Sequence, residues 1–203
     1  MKSTFFASLL AIAASTALAQ YTNQTAPFNL VVLSKNETYN GSTLLACHEG
    51  AGIEGLCLTS TFTGTGLTGS SFNFNTSTYG QYDLNPAIGE QGYLTYLLRG
   101  GNFNESEAFS LYYSPTSNVA LPLFEGTEGT LVAFDEHNLL NIQGYVDDRV
   151  PPPYNGTFTA YYRWYACQTY FTGYSYTTLA WVTGKYHPQN PTCEKVQVKR
   201  VFI

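Results

Sequence analysis

Charge is scarce in this chain. Lys and Arg number 9 and Asp and Glu 14 among 203 residues, so charged side chains make up 11%, against about 25% in an ordinary globular protein. The formal net charge is -5. Nucleic acid and anionic membrane surfaces are held by clustered cations, and a chain this poor in Lys and Arg is not built to take either as its principal partner. No apolar run of about 18 residues follows position 19, so no membrane-spanning helix is expected. The sequence has no G-x-S-x-G elbow, and its three histidines, His48, His137 and His187, have no nucleophile motif around them. The four cysteines lack the C-x2-C spacing of a zinc site, which leaves no expected metal or cofactor. Convincing amphipathic helices are also missing.

The chain starts with a pattern that sets its compartment. Lys2 is a positive n-region, Phe5 to Ala14 is apolar, and Ala17-Leu18-Ala19 fits an A-x-A cleavage site. Residues 1–19 therefore read as a signal peptide and 20–203 as one secreted, β-rich domain. The C-terminal KVQVKRVFI alternates as a strand and lacks the polar spacer and hydrophobic tail of a GPI signal. Extracellular or cell-wall-associated localisation follows.

An oxidising compartment suits an even cysteine count. Pairing Cys47 with Cys57 and Cys167 with Cys193 closes the shortest loops, with separations of 10 and 26 residues. Asn23, Asn36, Asn40, Asn75, Asn104 and Asn155 each have Ser or Thr two positions on and no intervening Pro, whereas Asn190 is followed by Pro191. Occupied, these six sequons would mark exposed positions and supply the solvation that charge does not.

Strand signals dominate the rest. Tyr and Phe number 17 and 13, and the apolar runs are short and punctuated by Gly, Asn, Ser and Pro. About ten to twelve short antiparallel strands need two packed layers, so the expected fold is an all-β antiparallel sandwich, with a β-trefoil as the alternative. Expected strands include Leu56 to Phe62, Ala108 to Tyr113 and a long Phe158 to Thr169. Thr61 to Ser71 and the proline-bearing Arg149 to Gly156 read as loops. The clearest hairpin joins two Tyr- and Thr-rich strands between Tyr161 and Trp181 around Phe171-Thr172-Gly173, where Gly173 can take positive φ.

Two kinds of site are represented. Glycosidases need two carboxylates about 5 to 9.5 Å apart, and Glu49 with Glu54, or Asp135 with Glu136, are the available pairs. CHEGAGIEGLC also reads as a disulfide-closed, Gly-rich loop with solvated acids, and the second pair as a polar turn. Aromatic binding chemistry is better supplied: Tyr165, Tyr170, Tyr174 and Tyr176 in the late hairpin combine flat rings with polar tips that can meet sugars or proteins. Trp164 falls on the face opposite Tyr165, so part of this aromatic set belongs to the core.

The segments PFNLVVLSKNETYNGSTLLACHEGAGIEGLCL, NVALPLFEGTEGTLVAFDEHNLLNIQGYVDD and YYRWYACQTYFTGYSYTTLAWVTGKYHPQNPTCEKVQVKRV resemble a family of small secreted cysteine-rich proteins of filamentous ascomycete fungi. The resemblance implies fungal secretion, disulfides and a β-rich fold, and brings no catalytic residue with it. The leading expectation is a secreted, N-glycosylated, disulfide-stabilised, non-catalytic protein that binds cell-wall carbohydrate or an extracellular or host partner. A polysaccharide hydrolase using a carboxylate pair and a structural wall protein are the alternatives.

Overall fold

Alternation with a period of two residues organises this chain. In the computed structural model, which describes residues 21–64, 67–69, 71–77, 85–147 and 154–203, Phe28, Leu30 and Val32 are fully buried while the residues between them are half-exposed. Strand geometry puts successive side chains on opposite faces, so such a segment buries one face only. The strands are β1 (Asn23–Gln24), β2 (Phe28–Leu33), β3 (Leu44–Gly50), β4 (Ile53–Leu58), β5 (Leu67–Gly69), β6 (Asn73–Thr76), β7 (Gln91–Arg99) and β8 (Asn104–Tyr112). They continue as β9 (Val119–Phe124), β10 (Val132–Phe134), β11 (Leu140–Val146), β12 (Tyr154–Tyr161), β13 (Trp164–Phe171), β14 (Tyr174–Val182), β15 (Glu194–Lys195) and β16 (Gln197–Phe202). Every pairing is antiparallel, and the described residues form no helix. The expected signal peptide, residues 1–19, and the prolines at 151–153 lie outside the described residues.

One curled sheet runs β12-β11-β10-β7-β8-β9-β14-β4-β3-β5, with β6 and β1 branching from β7, and β13 and β15 from β14. The separate β2–β16 ribbon lies in register from Phe28↔Phe202 to Leu33↔Gln197 and contributes Phe28, Leu30, Val32 and Val198 to the main core. Aromatic rings fill that core. Phe72 stacks on Phe124 at 5.6 Å, Phe28 meets Phe134 edge-on at 5.5 Å, and Trp164 sits 4.7 Å from Trp181. The Trp164 indole N–H donates to the Leu140 carbonyl at 2.7 Å, so the largest buried side chain leaves no polar atom unpaired.

The fold is all-β and antiparallel as the sequence implies, with more and shorter strands. Phe158 to Thr169 is two strands rather than one, because the chain breaks at Tyr162 and Arg163. Tyr162 donates to the Asp135 carboxylate at 2.7 Å, and Arg163 lies over the Tyr161 ring at 4.7 Å. The run from Thr61 to Ser71 contains β5, which pairs with β3. CHEGAGIEGLC is a two-stranded hairpin, with Gly50 opposite Ile53 and Gly52 at a φ of 66° in the turn. Both disulfides join the expected partners, Cys47–Cys57 and Cys167–Cys193.

Candidate functional site: the late hairpin and its two hollows

Strands β13 and β14 pair without interruption from Trp164↔Trp181 to Phe171↔Tyr174. The two-residue turn between them has Thr172 at a φ of 46° and Gly173 at 106°, the positive values a tight right-twisted hairpin needs. A β-branched residue resists that conformation, and Thr172 is held there partly by its hydroxyl, which donates to the Glu49 carbonyl of β3. This bond ties the hairpin tip to the β3–β4 hairpin.

The two faces of the tip have different surroundings. Tyr174 meets His48 edge-on at 5.2 Å, Tyr176 lies 5.2 Å from Phe62, and the two tyrosines stack at 6.0 Å. Tyr176 and Phe62 pack on the small core formed by Leu45 and the Cys47–Cys57 disulfide. Tyr174 and Tyr176 are thus half-buried packing partners of the first hairpin. On the other face, Gln168, Tyr170 and Ser175 are open to solvent, and Tyr170 is 72% exposed.

An open groove of about 690 Å³ lies along this second face. Its far wall comes from the end of β8 and the β8–β9 connection, where Tyr112 meets Phe171 edge-on at 5.2 Å. The near wall is Gln168 to Thr172, with Asn190 and Thr192 behind it. Asn190 is committed to structure: its amide donates to the Gln168 carbonyl at 2.7 Å and its oxygen accepts from the Thr192 backbone and hydroxyl. The side chains of Tyr170, Gln168 and Ser175 make no hydrogen bond among the described residues, so their polar atoms remain available. Among the described residues, no Asp, Glu, Lys, Arg or His lines the groove, and no sequon does.

Tyr165 occupies a second hollow, of about 550 Å³, with Tyr161, Tyr186, Arg163, Lys185 and Lys195. The expected tyrosines therefore separate into three environments, with Tyr165 and Tyr170 roughly 17 Å apart along β13 at the usual strand rise.

The carboxylates pair differently from the sequence reading. Glu49 and Glu54 point to opposite faces of the β3–β4 hairpin. Glu49 lies against the disulfide and over Gly55, where an added Cβ would meet its carboxylate at 2.5 Å. Glu54 is cross-strand from His48 on the core side. Both are buried rather than solvated, at 3% and 2% exposure. The partner of Glu54 is Glu107 of β8, also 2% exposed. Their carboxyls hydrogen-bond each other, which requires a proton between them, and the second oxygen of each has no partner. Burial, reinforced by Glu54, Glu105 and Glu125, pushes Glu107 up to about 8. Burial alone pushes Glu49 up to about 7, and it also raises Glu54 against the opposing effects of Glu107 and His48.

Asp135 and Glu136 also diverge. The Asp135 carboxylate accepts from the His137 and Leu139 backbone N–H groups at 2.9 and 2.8 Å and from Tyr162, which makes it the organiser of its turn. Glu136 is exposed and lies 3.7 Å from His137. Cys47, Cys57 and Glu49 cluster as metal ligands would, but the two sulfurs are joined to each other and offer no thiolate. Among the described sequons, Asn23, Asn40 and Asn104 are exposed and Asn36 and Asn75 half-buried. The Asn36 amide nitrogen donates to both Glu194 oxygens at 3.1 and 2.9 Å. No described helix could cross a membrane.

No curated protein and no solved structure matches this chain. A family profile does match, over residues 25–202, and the chain accordingly belongs to DUF7907, a domain family of unknown function.

Proposed function

We propose that this is a secreted, non-catalytic glycoprotein that binds neutral carbohydrate in the groove between Tyr112 and Tyr170. The observation that carries this reading is the composition of that groove. Two partly exposed tyrosines are joined there by amide and hydroxyl side chains, with no charge and no sequon in the lining. Sugar rings present apolar C–H faces and a rim of hydroxyls, which match an aromatic platform edged by neutral donors and acceptors. The two disulfides fit an oxidising compartment, and a signal peptide at residues 1–19 would deliver the chain there. Fungal origin and attachment to a cell wall belong to the same proposal.

Binding is favoured over hydrolysis by the position of the acids. A glycosidase pair must reach the scissile bond from two sides. Glu54 and Glu107 are sealed at 2% exposure, and Asp135 is buried and accepts three hydrogen bonds that hold its own turn. Purified protein incubated with insoluble β-glucan, chitin and cellulose should be retained by at least one neutral polymer and release no reducing sugar. Tyr170→Ala should weaken that retention by about tenfold, the scale of losing one aromatic anchor, and leave the melting temperature nearly unchanged. Tyr176→Ala should instead lower the melting temperature, because its ring covers the Cys47–Cys57 disulfide. Full retention of Tyr170→Ala would exclude the groove, and sugar release would establish the hydrolase.

A further inference from the structure

We propose that the hollow at the start of β13 is a second binding site, specific for an anionic saccharide. It goes beyond the neutral groove and uses none of the groove's residues. Arg163, Lys185 and Lys195 all line it, three of the 9 Lys and Arg in the entire chain. Among the described residues, no Asp or Glu lines the hollow and none of the three cations makes an ion pair. Three like charges gathered around one concavity repel one another, and no acid among the described lining residues offsets them inside it. An anion entering the hollow relieves that repulsion and gains from all three.

The chemistry of the lining narrows the anion. The Arg163 guanidinium is held over the Tyr161 ring at 4.7 Å, which restrains a planar fork suited to two oxygens of a carboxylate or sulfate. Tyr165 and Tyr186 add ring surface, and Tyr186 is 82% exposed beside the turn at Gly184, whose φ is 75°. A hollow of about 550 Å³ has the size of a small-molecule cleft rather than of a single oxyanion. A nucleic acid would need a long stripe of cations along its backbone. Lys35 shares the neighbouring hollow with Lys195, but Glu194 interrupts the positive charge there, and Arg200 is engaged with Asn138 and the Phe134 ring. A saccharide carrying carboxylate or sulfate groups satisfies the cations and the rings together.

The test uses the full mature protein and three hexasaccharides of equal length: a polyuronate, a sulfated glycan and a neutral one, titrated by calorimetry at low salt. One of the charged probes should bind, and which of them does assigns the carboxylate or the sulfate ester. Lys185→Glu and Lys195→Glu should each weaken it by about tenfold, the scale of one lost charge contact plus an introduced repulsion. Tyr186→Ala should weaken it by about threefold to tenfold. Lys199→Glu makes the same change in net charge on the exposed side of β16 and should leave binding intact, as should Tyr170→Ala in the groove. Equal weakening by Lys199→Glu would reduce the effect to net charge. Equal weakening by Tyr170→Ala would merge the two sites, and no preference for either charged probe over the neutral one would remove this site altogether. Each of these three results overturns the proposal.

Discussion

Glu107→Gln is expected to raise the melting temperature at pH 8 by roughly 6 to 12 °C and to leave it almost unchanged at pH 4. The effect comes from proton linkage. Glu107 is pushed up to about 8 and Glu49 to about 7, while both would titrate near 4.5 in the unfolded chain. Between pH 4.5 and 8 the folded state therefore holds more protons than the unfolded state, so stability must fall as pH rises through that window. Below pH 4.5 both states are protonated and the contribution is complete; above 8 it is lost. A glutamine keeps the shape, stays neutral and can donate its amide to Glu54, which removes the need for a shared proton. Each pKa step is worth about 1.4 kcal/mol, and discounting for the coupling to Glu54 leaves on the order of 3 kcal/mol for Glu107 at pH 8. A protein of this length shifts by about 2 to 4 °C per kcal/mol. Calorimetric melting of wild type and variant from pH 4 to pH 9 measures it directly. A wild-type melting temperature that climbs across this range would show that the acids are solvated in the native state.

Trp164→Ala is expected to cost about 3 to 5 kcal/mol, the range for emptying a large aromatic site in a core. Trp164 is fully buried, touches Trp181 and Phe109, and satisfies the Leu140 carbonyl. Truncation leaves both a cavity and an unpaired buried acceptor. Trp164→Phe keeps most of the volume and isolates the hydrogen bond, for which about 1 to 2 kcal/mol is expected. Urea unfolding reads both as a lower midpoint with an unchanged slope. The loss should pass to ligand binding as well, because Trp164 anchors the base of the hairpin whose tip walls the groove. An alanine variant as stable as wild type would mean that the two sheet regions meeting at this indole do not depend on it.

What the sequence shows well is local. The β13–β14 hairpin follows from its Tyr- and Thr-rich alternation and Gly173, and the disulfides follow from short separations along the chain. What it hides is long-range. Starting β8 at Ala108 rather than Asn104 conceals Glu107, which shares the inward phase of Phe109 and Leu111; an acid in that phase was the available signal. Nothing near position 54 announces that residue 107 will be its partner. The break at Tyr162 depends on Asp135, 27 positions away, and the groove depends on Tyr112 meeting Phe171. The four tyrosines proposed to bind share one hairpin, but the sequence does not sort them by face, since sorting them requires knowing that β3 and β4 cover Tyr174 and Tyr176.

The most direct test of the proposed carbohydrate binding in the groove is a ¹⁵N–¹H NMR titration of residues 20–203 with soluble neutral oligosaccharides of β-glucan, chitin and cellulose. Shifts should concentrate on the backbone amides of Gln168 to Thr172, Tyr112 and Ser114, with the amides around Glu54 and Glu107 unmoved. Shifts centred on the buried acids, or saturation with the groove amides unaffected, would contradict it.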